Sequence, residues 1–152
     1  MHVLIGTDGS EDAIEAAVRA FAVLAVDSAT VLTVSETPGV ATAGFESGFA
    51  GGVANPEEVD AAWKAVEVEA NAALDATVAA IATTKPGVAI ERRIEIGDPG
   101  QTLCRLAGEL SADVVVVGSR GRGALKRALL GSVSGNVVHN APCPVLVIRA
   151  AD

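Results

Sequence analysis

The residues with the most chemistry to offer lie between Gly118 and Ser132. That stretch carries glycines at 118, 121, 123 and 131, a terminal Ser132, and Arg120, Arg122, Lys126 and Arg127. Those four bases are drawn from only eleven in the chain, which holds nineteen acids and a net charge of -8. A glycine-rich, basic segment suits a phosphate. Glycine lets the backbone approach closely, and the amides that open a helix are ready donors for an anion.

The flanking residues supply that helix and a strand to hold the loop. The run Val114 to Val117 precedes the loop, and a helical pattern over Ser132 to Asn140 follows it. Two common phosphate motifs are excluded. Gly118 and Gly123 have Walker spacing, but Ala124 and Leu125 stand where Lys and Ser or Thr are needed. After the first apolar run the chain reads Gly6, Thr7, Asp8, Gly9, Ser10, which is not the dinucleotide fingerprint.

Strands and helices alternate along the rest of the chain. Val3 to Thr7 reads as a buried strand. Ser10 caps a helix with Glu11 and Asp12 in its first turn and a stripe of Ile14, Val18, Phe21 and Ala25. Ala29 to Ser35 is the second strand, and the Gly- and Ala-rich stretch Thr37 to Ala54 reads as a loop. Asn55 and Pro56 open a long helix with a stripe of Val59, Trp63, Val66, Ala70, Leu74, Val78 and Ile81. Val88 to Ile96 is the third strand. Asp98 and Pro99 start a helix whose core side is Leu103, Leu106, Ala107 and Leu110. Val114 to Val117 and Pro144 to Arg149 complete the strands. This order predicts one α/β domain over residues 1–152: a doubly wound, five-stranded parallel sheet with helices on both faces. A ligand then sits beyond the carboxyl ends of the strands, where the winding reverses, with Asp8 and the Gly118 loop facing one crevice.

Composition narrows the partners. Half of the residues are hydrophobic, with one Trp, three Phe and no Tyr, so stacking platforms for single-stranded nucleic acid are few. The net charge of -8 opposes a phosphate backbone. No apolar run is long enough to span a bilayer. Cys104 and Cys143 lack metal-ligand spacing and read as small buried hydrophobes. The expected compartment is the cytoplasm.

The pattern Gly118-x2-Gly121-x9-Gly131-Ser132 resembles the nucleotide-binding motif of the universal stress protein family. The opening Val3 to Ser10, the turn Gly97-Asp98-Pro99 and the closing Pro142 to Ile148 are similar to that family's first strand, third-helix turn and last strand. The resemblance implies the adenine-nucleotide alpha-hydrolase-like fold with strand order 3-2-1-4-5. It also implies the family's ATP-binding branch, because each motif position is intact. ATP or ADP is the implied ligand, with Mg²⁺ as the ion that can accompany a triphosphate. Gly118, Ser119, Arg120, Gly121, Arg122, Arg127, Gly131, Ser132, Val133 and Ser134 are the implied phosphate side. Gly6, Thr7, Asp8 and Val34 are the implied adenosine side: Asp8 accepts from ribose or base, Gly6 leaves room beside it, and the Val34 backbone meets adenine. The family also pairs its last strand, here Val145 to Ile148, with that of a second subunit, which implies a homodimer.

No catalytic set is evident. His2 and His139 stand apart at element ends, and His139 suits a helix C-terminus. No residue presents itself to orient a hydrolytic water. The sequence therefore reads first as an ATP-binding regulatory module of the stress response, and secondly as a weak or partner-stimulated ATPase. A dimeric interaction module with a vestigial site is a third reading.

Overall fold

Five short aliphatic runs form the sheet: β1 (His2–Gly6), β2 (Ser28–Ser35), β3 (Ala89–Ile96), β4 (Val114–Gly118) and β5 (Val145–Ile148). The computed structural model describes residues 1–39, 55–121 and 130–150. The strands are parallel and lie in the order β3-β2-β1-β4-β5. Four helices among the described residues connect them: α1 (Glu11–Val23), α2 (Pro56–Thr84), α3 (Pro99–Glu109) and α4 (Ser132–Asn140). The expected fold class and strand order are both present. The expected loop Thr37 to Ala54 lies largely outside the described residues.

Alternation along each strand feeds two cores. Val3, Ile5, Val31, Val114 and Val116 face α1 and α2, with Phe21, Leu74 and Ile81. Leu4, Leu32, Val115 and Val117 face α3 and α4, with Leu103, Leu106 and Val137. A helix layer on each face is what continuous aliphatic parallel strands require. β3, at one edge, departs from that rule: Ile94 and Ile96 are exposed, and Arg93 and Arg105 pair with Glu91 and Glu95 around its α3 side.

Two helix stripes differ from the sequence expectation. In α1 the buried side is Ala13, Ala16, Ala17, Ala20 and Phe21, while Ile14 and Val18 are half-buried and Ala25 lies beyond the helix. Small residues face the sheet because they let the helix approach closely, and the larger aliphatics sit at its flank. In α2 the full burial expected from Val59 onward is confined to Ala70, Ala73, Leu74, Thr77 and Ile81. The reason is length. A helix of 29 residues runs about 44 Å at 1.5 Å per residue, well past the strands it covers. Its first half therefore leaves the sheet and stands over the carboxyl ends of the strands.

The caps follow the sequence. Ser10, Asn55 and Asp98 accept from Ala13, Glu57 and Gln101 amides at the starts of α1, α2 and α3. α4 differs: its cap is Gly131, with no side-chain bond to the first turn.

Candidate functional site

The winding reverses between β1 and β4, and the segments leaving those two strands meet there. Gly6 borders the crevice, and its missing side chain also serves packing. A Cβ on Gly6 would lie 2.9 Å from Leu103 Cδ1 and 3.3 Å from Val117 Cγ1, so this glycine lets α3 close on the sheet. Thr7 ties three elements together. Its amide donates to the Leu32 carbonyl (2.9 Å) and its hydroxyl oxygen accepts from the Gly9 amide (3.1 Å). The same hydroxyl meets Thr77 Oγ1 of α2 at 2.9 Å, and Thr77 in turn donates to the Ala73 carbonyl at 2.8 Å. Gly9 has a φ of +74°, a left-handed conformation that glycine takes without strain and that turns the chain into α1.

Asp8 is positioned by this turn. Its Oδ1 accepts from the Ser10 amide (3.0 Å) and the Ser10 hydroxyl (2.6 Å). Its Oδ2 faces the glycine loop closely: a Cβ on Gly121 would stand 2.7 Å away. The loop is seated on α1. A Cβ on Gly118 would lie 3.2 Å from the Asp12 carbonyl oxygen and 3.3 Å from the Ala13 amide nitrogen. Arg120 reaches back to Asp12, with Nε 3.5 Å from Oδ2.

The loop's other end is pinned through Ser119. The Ser119 amide donates to the Ile148 carbonyl (2.8 Å), and its carbonyl accepts from the Gly131 amide (2.8 Å) and the Ser134 hydroxyl (3.0 Å). Ser134 also reaches the Gly131 carbonyl at 3.1 Å, so its proton is directed to backbone oxygens. These bonds fix the start of α4 against β4 and β5. The first turn of α4, free of any side-chain cap, borders the same space as Asp8 and Gly121.

Between these parts lies a crevice of about 850 Å³. Eleven residues expected from the sequence line it: Gly6, Thr7, Asp8, Val34, Gly118, Arg120, Gly121, and Gly131 to Ser134. Ser119 does not; it is buried, and it acts through its backbone. Arg122 and Arg127 lie outside the described residues. The sequence reading missed two walls. One is the rest of the β2 tip around the expected Val34, with Thr33, Ser35 and Glu36; the other is α2, with Val66, Glu69, Ala70 and Ala73. The first follows from the switch-point rule once the strand order is known. The second carries no local signal, since Ala70 and Ala73 read as ordinary core.

The lining is acidic for an anion site. Asp8, Glu36 and Glu69 share it with one described base, Arg120. Among the described residues no group of three His, Cys, Asp or Glu side chains is placed to hold a metal, and no helix is long and apolar enough to cross a membrane. His2 bonds the Ser28 and Thr30 hydroxyls at 2.8 and 3.2 Å, and His139 meets the Gly135 carbonyl at 2.8 Å in the last turn of α4. Neither lines the crevice.

Known proteins share this fold. The structure of the hypothetical protein MJ0577 is 25% identical, with a TM-score of 0.76 over 99% of this chain and 96% of that one. A universal stress protein solved in complex with cAMP is 27% identical, with a TM-score of 0.67 over 99% of this chain and 98% of that one. A Staphylococcus aureus (strain USA300) chain named for the universal stress proteins is 41% identical over 64 residues. That match spans 41% of this chain and only 39% of the relative. The model of the universal stress protein family matches residues 1–149, and the chain belongs to that family.

Proposed function

We propose that this chain binds an adenine nucleotide, ATP, in the crevice between β1 and β4, and works in the cytoplasm as a regulatory module of the stress response. The observation that carries the reading is the convergence of Asp8, Gly121 and the α4 first turn on one 850 Å³ crevice. In this reading the backbone of Gly118 and Gly121 approaches the phosphates, and the Ser132 and Val133 amides receive them at the helix end. Arg120 supplies charge. Asp8 accepts from ribose or base, and the Val34 backbone borders the adenine. The Ala70 and Ala73 wall leaves space for a flat ring. Mg²⁺ is the proposed companion of the triphosphate. The cAMP complex of a relative 27% identical supports an adenine nucleotide as the ligand class.

The test is release and rebinding. Freshly purified protein is denatured and the released small molecules are identified by mass spectrometry. ATP or ADP at about one per chain is expected, with loss in an Asp8→Leu variant that keeps the wild-type circular dichroism. A protein that carries no nucleotide and takes up none from added Mg-ATP overturns the reading.

The reading extends to assembly. β5 has β4 on one side and no described strand on the other. An apolar edge of this kind is a pairing surface unless it is covered. The proposed cover is β5 of a second copy, giving a homodimer.

A further inference from the structure

The pair between Asp12 and Arg120 is incomplete as an ion pair. Its 3.5 Å separation is long beside the about 2.7–2.9 Å of a charge-assisted hydrogen bond. Arg120 Nε is buried and has no hydrogen-bond partner among the described residues. Buried donors almost always find acceptors, so a guanidinium held near a carboxylate without being satisfied by it wants explanation. Arg120 also lines the crevice, where it is the one described base among three lining acids. Its Cα lies 3.6 Å from where a Gly131 Cβ would stand, directly beside the uncapped start of α4.

We infer that Asp12 is a resident counter-ion of Arg120 which the anionic end of the bound nucleotide displaces, so that Asp12 sets how strongly charge on the ligand is rewarded. This rests on the nucleotide reading above. Without ligand, Asp12 offsets the Arg120 charge and holds the side chain against the first turn of α1. A phosphate that engages Arg120 must compete with that carboxylate and then sit close to it. Asp12 therefore weakens binding in proportion to ligand charge and leaves an uncharged nucleoside alone. If Asp12 were only a structural prop for the loop, the sign would be opposite: its loss would loosen the turn and weaken every ligand alike.

The experiment is a double-mutant cycle on the full chain. Affinities for ATP, AMP and adenosine are measured by titration calorimetry at low salt for wild type, Asp12→Asn, Arg120→Gln and the double variant. Asp12→Asn is expected to bind ATP about three- to tenfold more tightly, as a half-buried charge contact warrants. AMP should gain less and adenosine nothing, and the gain should vanish with Arg120→Gln. Unchanged or weaker ATP binding by Asp12→Asn overturns the proposal, as does an equal gain for adenosine or a gain that survives Arg120→Gln. A wild-type chain that binds none of the three overturns the nucleotide reading itself. Wild-type binding with an unresponsive Asp12→Asn overturns only the counter-ion role. If the Asn variant fails to fold by its urea transition, Asp12→Ser carries the same comparison.

Discussion

At the scale of the residue, the glycines of the crevice are not equivalent, and substitution should separate them. A Cβ on Gly118 meets the Arg120 and Asp12 carbonyl oxygens at 3.1 and 3.2 Å, backbone atoms that cannot step aside cheaply. Gly118→Ala should lower unfolding free energy by about 1–3 kcal/mol, read from the urea midpoint. At Gly121 the obstacle is the Asp8 carboxylate, the end of a side chain. Gly121→Ala should leave the urea midpoint near wild type yet weaken ATP by about tenfold or more, since Asp8 must leave its place. The motif spacing marks both positions in the sequence but not this difference, because the atoms that decide it come from residues far away in the chain. The thiols offer a third test. Burial raises the pKa values of Cys104 and Cys143, Cys104 being raised further by Cys143 and Asp98 and Cys143 by Asp113, while a Val115 backbone bond opposes the rise at Cys143. Alkylation by iodoacetamide at pH 8 should then be slower in the native chain than in urea, and should rise steeply with pH. The sign for stability follows. The folded state holds these protons above the pH at which the unfolded thiols lose them, so stability falls as pH climbs through the ordinary thiol range.

At the scale of the element, α2 was the least legible part. Its start was plain from Asn55 and Pro56, but its apolar stripe continues past the place where it leaves the sheet. Periodicity reports that a face is covered and is silent about what covers it. The same helix face is core at Leu74 and crevice wall at Ala70. One turn further on, the Thr7–Thr77 hydroxyl pair ties the helix to the turn after β1. Thr77 is fully buried, and replacing it by Val leaves the Thr7 hydroxyl its bond from the Gly9 amide but takes away the acceptor of its proton. Thr77→Val should cost about 1–3 kcal/mol in chemical denaturation. It should also raise amide exchange in the first half of α2 more than in α3. The stripe of α1 was misjudged for a related reason. Helical spacing marks Ile14, Val18, Phe21 and Ala25 as the stripe; of these only Phe21 is buried, and close approach to the sheet selects Ala16, Ala17 and Ala20 beside it.

At the scale of the whole molecule, the alternation of aliphatic runs with helices makes the parallel sheet legible, because each run is long enough to be a strand and too regular to be a loop; the strand order came from the family resemblance alone. The proposed homodimer belongs to this scale. The Pro144 and Ile148 carbonyls accept from Val115 and Ser119 amides, so alternate residues Val145 and Val147 turn their backbone groups away from β4. Val147→Pro therefore removes an outward donor and no bond among the described residues, a place where an edge strand tolerates proline. Light scattering should give twice the chain mass for wild type and the single mass for this variant; a wild type of single mass refutes the dimer. The central position of β1 matters also for when the molecule can exist. β1 is made first, yet one of its two edges stays bare until β4 is synthesised; the His2 amide bonds Asp113, 111 residues later in the chain. A nascent chain thus carries an unpaired aliphatic edge until β4 has been made, and contacts of such sequence separation form slowly. The crevice closes only once β4 and the start of α4 are in place, so a nucleotide would reward only chains that have folded that far and act as a late check on folding.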